Sequence, residues 1–122
     1  MGRTRVGIGS ADALSRYGLA NLLRARGDLV LLLDVDLPQA QVLVVAQLRF
    51  DRAELARYRA LLENPAAPVV LVAGPIQPQE QVAAVQDGVV AFLARADLTA
   101  RQIHEAVQAA SATQPTLIQA AG

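Results

Sequence analysis

The sequence predicts an α/β fold: a doubly wound, parallel, five-stranded sheet with helices on both faces. Three observations carry this. Aliphatic runs recur along the chain, at 3–9, 29–33, 42–48, 69–73 and 89–93. Helical i, i+3, i+4 patterns separate most of them. The runs are apolar throughout rather than alternating, which marks strands covered on both faces. With 122 residues, 53% of them hydrophobic, the chain can bury one sizeable core. Tyr17, Phe50, Tyr58 and Phe92 are the aromatics, so that core is built from Val, Leu, Ile and Ala.

The first strand, 3–9, runs into Ser10-Ala11-Asp12, with Asp12 placed to cap a helix over 13–26. Leu14, Tyr17, Gly18, Leu19, Leu22 and Leu23 form its apolar stripe, and Gly27 stops it. The second strand, 29–33, is broken by Asp34-Val35-Asp36-Leu37-Pro38-Gln39, and the third follows at 42–48. A helix over 52–62 turns Leu55, Tyr58, Leu61 and Leu62 inward and ends at Asn64-Pro65. The fourth strand is 69–73. Pro78 opens a helix that Gly88 stops near residue 87. The fifth strand is 89–93. Thr99 is placed to cap a last helix over 99–110, with Ile103 and Val107 inward. Residues 1–111 form the domain, and 112–122 form a small polar tail with an apolar patch at Leu117-Ile118.

One helix is absent from this alternation. Only about eight residues join the second and third strands, where a helical crossover between parallel strands normally takes a dozen or more. An antiparallel hairpin is one reading. The other keeps the strands parallel through an extended segment, since eight residues span roughly 26 Å. The parallel reading is preferred. On it, 29–33 loses the cover of a helix on one face. Such a patch is expected to be buried by a second subunit, a partner, or the segment PTLIQAAG.

Composition removes several classes of chemistry. With no Cys, disulfides, thiolate catalysis and Cys-ligated zinc are excluded. His104 is the one histidine, so a His-rich metal centre is excluded as well. All 11 basic residues are Arg, so no mechanism has a lysine to use. They are balanced by 11 acidic residues, which gives no sign of a nucleic-acid-binding face. No apolar stretch is long enough for a transmembrane helix, and no signal-peptide core opens the chain. A cytoplasmic location fits these features.

The stretches RVGIGSADALSRYGLANLLRARGD, VLVVAQLR, APVVLVAGP and AAVQDGVVAFLARADLTARQIHEAV, in this order and spacing, resemble the receiver domain of bacterial response regulators, the CheY-like fold. The nearest flavour is the receiver of LuxR-type transcription regulators, and the resemblance covers residues 3 to about 111. It implies a domain that transfers a phosphoryl group onto its own aspartate. Two carboxylates hold Mg2+, an aspartate ends the third strand, a Ser or Thr follows the fourth, and a Lys follows the fifth. Carried onto this chain, the acidic pair falls on Ser10 and Ala11, the phosphoacceptor on Gln47, the hydroxyl on Ala73 and the lysine on Arg95. None is kept. An amide is no phosphoryl acceptor, and Ala11 and Ala73 coordinate nothing. The expectation is a degenerate pocket with no catalytic residue, no metal and no cofactor.

Other motifs read as structure. Gly7-Ile8-Gly9 fails the dinucleotide fingerprint, because Asp12 stands where a third glycine belongs, and is read as close strand–helix packing. Asp34-Val35-Asp36 is a solvated turn. His104 is a surface residue, and Arg49, Arg52, Arg57 and Arg59 are a solvated helix face. Ser10, Ser15, Asp12 and His104 are triad residue types without a nucleophile elbow.

The expected function is that of a phosphorylation-independent pseudo-receiver acting by dimerisation or protein contact, with any DNA-binding output domain in a longer parent chain. Leu29, Leu31, Leu33, Val82, Val85, Ile103 and Val107 are the candidate interface. One alternative is a small-molecule sensor that uses the vacated pocket, with Ala11, Ala46, Ala73 and Gly74 as its lining. Another is an unrelated flavodoxin-like protein-interaction domain.

Overall fold

The computed structural model describes residues 3–24 and 26–113. In order these form β1 (Thr4–Gly9), α1 (Ala13–Arg24), β2 (Leu29–Leu32), a 3-10 helix (Asp34–Gln39), β3 (Val42–Gln47), α2 (Arg52–Ala60), β4 (Val69–Ala73), α3 (Pro78–Gln86), β5 (Val89–Ala94) and α4 (Ala100–Thr113). The sheet order is β2-β1-β3-β4-β5 and every pairing is parallel. Residues 114–122, which hold Leu117-Ile118, lie outside the described residues.

The aliphatic runs supply both faces of the sheet, because side chains alternate along a strand. Val6, Ile8, Val42, Val44, Ala46, Val70 and Val72 point to the face covered by α1 and α4. Leu43, Val45, Val69, Leu71 and Ala73 point to the other face, beneath the 3-10 helix, α2 and α3. β3 is buried along its whole length, which is why its sequence is apolar without a break.

The second crossover is neither a hairpin nor an extended segment. It winds into a 3-10 helix. The geometry explains the choice: six residues rise about 12 Å at 3-10 pitch but only about 9 Å as α-helix. The tighter winding lets a short connection return along β1. Asp34 opens it at φ 52, a left-handed conformation that Asp tolerates better than most residues. Its far end is tied to β1: Gln41 donates its amide to the Arg5 carbonyl at 2.8 Å, and the Gln41 side chain accepts from the Arg5 amide at 2.8 Å.

This connection supplies the cover that the missing helix leaves off. Leu37 and Ala40 are buried with Leu32 and Leu43. Burying a leucine contributes about 2 kcal/mol. The seat for them is Gly7. A Cβ there would stand 2.5 Å from Leu37 Cδ1 and 2.8 Å from Ala40 Cβ. Gly9, two residues on, lies under the ring of Tyr58, 3.0 Å from where its own Cβ would be. The two glycines therefore let two elements lie on bare backbone. The expectation that 29–33 needs an outside partner is corrected accordingly. Leu29 and Leu32 are buried within the chain, and Leu31 and Leu33 are half-buried against the α1–α4 core.

Other expectations shift in detail. The inward face of α1 is Leu19, Ala20 and Leu23, while Leu14 and Tyr17 are exposed. At about 100° per residue, Tyr17 lies roughly 200° round the helix from Leu19, so one stripe cannot bury both. α2 ends at Ala60. Leu61, at its C-cap, faces solvent and Leu62 alone turns in. Leu48 lies beyond β3 and is exposed. Ile103 and Val107 are each 0% exposed and have no surface to offer an interface.

Caps fall where their residue types predict. Asp12 accepts from the Leu14 amide at 3.0 Å, Thr99 Oγ1 from the Gln102 amide at 3.1 Å, and Gly88 leaves α3 at φ 99. His104 is not on the open surface. Its side chain is 15% exposed, and its Nε2 meets the Asp28 carboxylate at 3.1 Å. Gln108 donates to the same carboxylate at 2.8 Å. α4 is thus pinned to the start of β2.

The His104 hydrogen bond, joined by that of Gln108, holds the Asp28 carboxyl below its ordinary value of 3.8. A depressed carboxyl adds stability above its unfolded value and loses it as pH falls through the folded one. Asp28→Asn is therefore expected to lower the thermal midpoint near neutral pH. The gap from wild type should close as pH drops below about 4. A gap that stayed constant with pH would assign the effect to packing alone.

Candidate functional site

In an open parallel sheet, ligands bind outside the carboxyl ends of the strands, where the chain order reverses. Here that place lies between β1 and β3, under the loops that follow β1, β3, β4 and β5. A depression of about 290 Å³ occupies it, lined among others by Ser10, Ala11, Ala46, Gln47, Glu54 and Arg95. Four of the five positions assigned from the sequence, Ser10, Ala11, Gln47 and Arg95, come together in it. Ala73 does not. Together with Gly74 it lines a separate apolar cavity of about 330 Å³ beside Pro75, Ile76 and Phe92. The Ala73 side chain points to the face covered by α2 and α3, and Arg95 borders both spaces.

The position that the resemblance assigns to a phosphoacceptor is filled and satisfied. Gln47 is 4% exposed. Its Nε2 donates to the Asp51 carbonyl at 3.0 Å and to Glu54 Oε1 at 2.8 Å, and its Oε1 accepts from the Asp51 amide at 3.0 Å. Asp51 Oδ1 in turn accepts from the Glu54 amide at 3.1 Å and caps α2. One amide side chain thus joins the end of β3 to the first turn of α2. Glu54 is the residue that sequence reasoning missed. The only local signal was Asp51-x-x-Glu54, a capping-box spacing. Here the box is rewired: Gln47 takes the cap amide and Glu54 takes Gln47.

The β1–α1 loop is equally committed. Ser10 Oγ accepts from the Asp12 amide at 3.1 Å. The Ser15 hydroxyl donates to Asp12 Oδ2 at 2.8 Å, and Arg95 Nη2 donates to Ser15 Oγ at 3.1 Å. The Ser15 hydroxyl and the Leu14 amide hold the Asp12 carboxyl below its usual range. The Arg95 backbone amide donates to the Ala73 carbonyl at 3.0 Å, which fixes the base of that arginine.

These residues do not fit the divalent cation that the receiver chemistry uses. Ser10 and Ala11 offer one hydroxyl, already accepting from a backbone amide, where a hard cation wants carboxylates. Among the described residues no three His, Asp or Glu side chains are grouped to hold a metal. The Asp34-Asp36 pair lies on the 3-10 helix and does not enter the pocket. Of the arginine group, Arg49 and Arg57 are exposed. Arg52 pairs with Asp87 at 2.6 and 3.0 Å, and Arg59 donates to the Pro65 carbonyl. That pair braces α2 against the α3–β5 turn.

Comparison with solved structures matches this architecture. The chain is similar to a CheY-like response regulator receiver domain from Methanospirillum hungatei, at TM-score 0.72 and 12% identity over 93% of this chain and 98% of that one. It is similar to the signal receiver domain of the response regulator NarL from Mycobacterium tuberculosis, at TM-score 0.68 and 24% identity over 91% and 98%. It is also similar to the pilus assembly protein CpaE from Burkholderia thailandensis, at TM-score 0.72 and 23% identity over 89% and 98%. The chain thus has the CheY-like, flavodoxin-like receiver fold. No protein-family model matches the sequence, and no curated protein matches it.

Proposed function

We propose that this chain is a phosphorylation-independent pseudo-receiver that acts by protein contact, as a homodimer or on a partner, in a LuxR-type or related regulator. The observation that carries this reading is the Gln47 network. At the place of a phosphoacceptor stands a buried amide whose donors and acceptor are all used in holding the β3–α2 loop. A side chain so engaged has neither the nucleophilicity nor the freedom to be modified and to move.

The surface supports contact as the mode of action. Val82 and Val85, one turn apart on α3, are 59% and 58% exposed, and Val90 on β5 is 48% exposed. Val90 faces out because the β4–β5 register slips there: Val69 pairs with Val89 but Val70 pairs with Ala91. Three exposed valines on adjacent elements at a sheet edge are more apolar surface than isolated residues explain. Leu31 and Leu33, half-buried on the opposite edge strand region, stay as secondary candidates. Among the described residues no helix is long and apolar enough to cross a membrane. On this reading the module works in the cytoplasm, and DNA recognition belongs to an output domain outside it.

The test is treatment with acetyl phosphate, or beryllofluoride, and Mg2+, followed by intact mass and size-exclusion chromatography with light scattering. The mass and the oligomeric state are expected to stay unchanged. Val82→Asp combined with Val85→Asp is expected to weaken self-association or partner capture while leaving the fold intact. A phosphoryl adduct would overturn the reading, and an oligomer indifferent to the double variant would move the contact to another face.

A further inference from the structure

β5 is an edge of the sheet, and it carries none of the features that blunt an edge. Among the described residues no strand lies beyond it. Natural edges are kept from pairing by shortness, charge or proline. β2, the other edge, has four residues, whereas β5 has six, VVAFLA, with neither a charge nor a proline. The outward groups follow from the ladder. The Arg95 amide donates to the Ala73 carbonyl at 3.0 Å, and Leu71, Val72 and Ala73 pair with Phe92, Leu93 and Ala94. Backbone groups alternate sides along a strand, so Leu93 and Arg95 bond to β4, while Phe92 and Ala94 turn their amides and carbonyls away from it. Phe92 is half-buried and Ala94 exposed, which leaves these groups open to pairing.

The helices on either side of this edge present it with apolar or neutral surface. At the end of α3, Ala84 is buried and Asp87 turns to Arg52 on α2. At about 100° per residue, Val85 and Val82 lie roughly 100° and 160° round the helix from Ala84, and Asp87 about 60° the other way. The two valines therefore stand on the side away from α2, which borders the outer edge of β5. On α4, His104 and Gln108 reach Asp28 beside β2. By the same count the opposite side, toward β5, carries Gln102, Ala106 and Ala109. The nearby charges are engaged elsewhere. Glu80 accepts from the Gln77 amide, Asp87 holds Arg52, and Arg101 pairs with Glu105. Such a face suits its own copy, because a two-fold contact sets a surface against itself, which like charges resist and a neutral surface allows.

We propose that β5 pairs antiparallel with β5 of a second copy, joining two five-stranded sheets edge to edge. Phe92 of each copy faces Ala94 of the other, and every outward amide and carbonyl of these residues finds a partner. The two-fold axis stands perpendicular to the sheet. It sets α3 beside its own counterpart and takes Val82 and Val85 out of water. A lone peptide strand added to β5 would satisfy the backbone but leave those valines exposed, so the second copy accounts for both observations. The inference rests on the contact reading above, and specifies the occupant of that face and the hydrogen bonds that hold it.

The test is amide hydrogen exchange of the wild-type chain at rising concentration, with light scattering to follow its mass. A dimer is expected. The Phe92 and Ala94 amides should exchange about tenfold or more slowly where it forms than where the protein is dilute. Leu93 and Arg95, bonded to β4, are the internal reference and should be protected throughout. Ala94→Pro removes one outward donor from each copy and leaves the β4 ladder alone, at a place where an edge strand accepts proline. It should raise the dimer dissociation constant about tenfold or more. A chain that stays monomeric at millimolar concentration overturns the proposal, and leaves contact with a different partner standing. A dimer that is lost in Val82→Asp combined with Val85→Asp, yet is unchanged in Ala94→Pro and shows no slowing at Phe92 and Ala94, overturns the strand pairing while the contact reading survives.

Discussion

Gly7→Ala is expected to destabilise the domain by about 2–3 kcal/mol, although it adds a single methyl group to a strand that would otherwise favour the change. The new Cβ would lie 2.5 Å from Leu37 Cδ1 and 2.8 Å from Ala40 Cβ. Leu37 can turn its methyl aside, but Ala40 moves only with its backbone. The 3-10 helix must therefore lift from β1, and the burial of Leu37 beneath it is partly lost. That helix is held by the Gln41–Arg5 pairing at one end and by the Glu63 amide on the Pro38 carbonyl, so the displacement strains contacts on both sides. Urea denaturation measures the effect as a lower midpoint at unchanged slope. Gly18→Ala is the control. With nothing within 4 Å of the added Cβ, it should be neutral or stabilise by up to about 1 kcal/mol. A Gly7→Ala protein as stable as the control would mean that the short crossover does not depend on bare backbone at β1.

This dependence also shows what could be read from the chain and what could not. The five strands were legible because both faces of the sheet are covered, so each strand announces itself as an unbroken aliphatic run. Asp12, Thr99, Pro78 and Gly88 were legible because caps and stops are local. The convergence of Ser10, Ala11, Gln47 and Arg95 in one depression followed from aligned order and spacing. The 3-10 winding of 34–39 was not legible, since six residues are too few for a period and the deciding contacts come from Gly7, nearly thirty residues earlier. Leu14 and Tyr17 misled because α1 carries more apolar residues than its one covered face can bury. Ile103 and Val107 read correctly as inward and for that reason cannot also serve an interface. Glu54 escaped because its importance depends on a buried amide seven residues back, across a strand end and a loop.

Gln47→Asp, the substitution that would place a carboxylate where the resemblance puts an acceptor, is expected to gain no phosphorylation and to lose about 4–6 kcal/mol of stability. The chemistry fails because the other requirements remain absent. Ser10 and Ala11 still provide no cation site, Ala73 no hydroxyl, and Arg95 still points its guanidinium at Ser15. The stability falls for separate reasons that add. The Gln47 amide now donates to the Asp51 carbonyl and to Glu54, and an aspartate donates nothing. A buried acceptor left unpaired costs about 1–3 kcal/mol. The new carboxylate would also face Glu54, which is itself buried, and two like charges about 4 Å apart repel by a few kcal/mol at an effective dielectric near 20. The charge term is separable. In Gln47→Asp combined with Glu54→Gln the amide and the carboxylate exchange places across the same contact, and roughly half of the loss should return. Chemical denaturation of the two single variants and the double variant gives the coupling directly. Strong coupling makes Gln47 and Glu54 a matched pair that together hold the β3–α2 loop. Independent effects would leave Gln47 merely a tolerated substitution, and the pocket would then lack the rigid loop on which a phosphorylation-independent function rests.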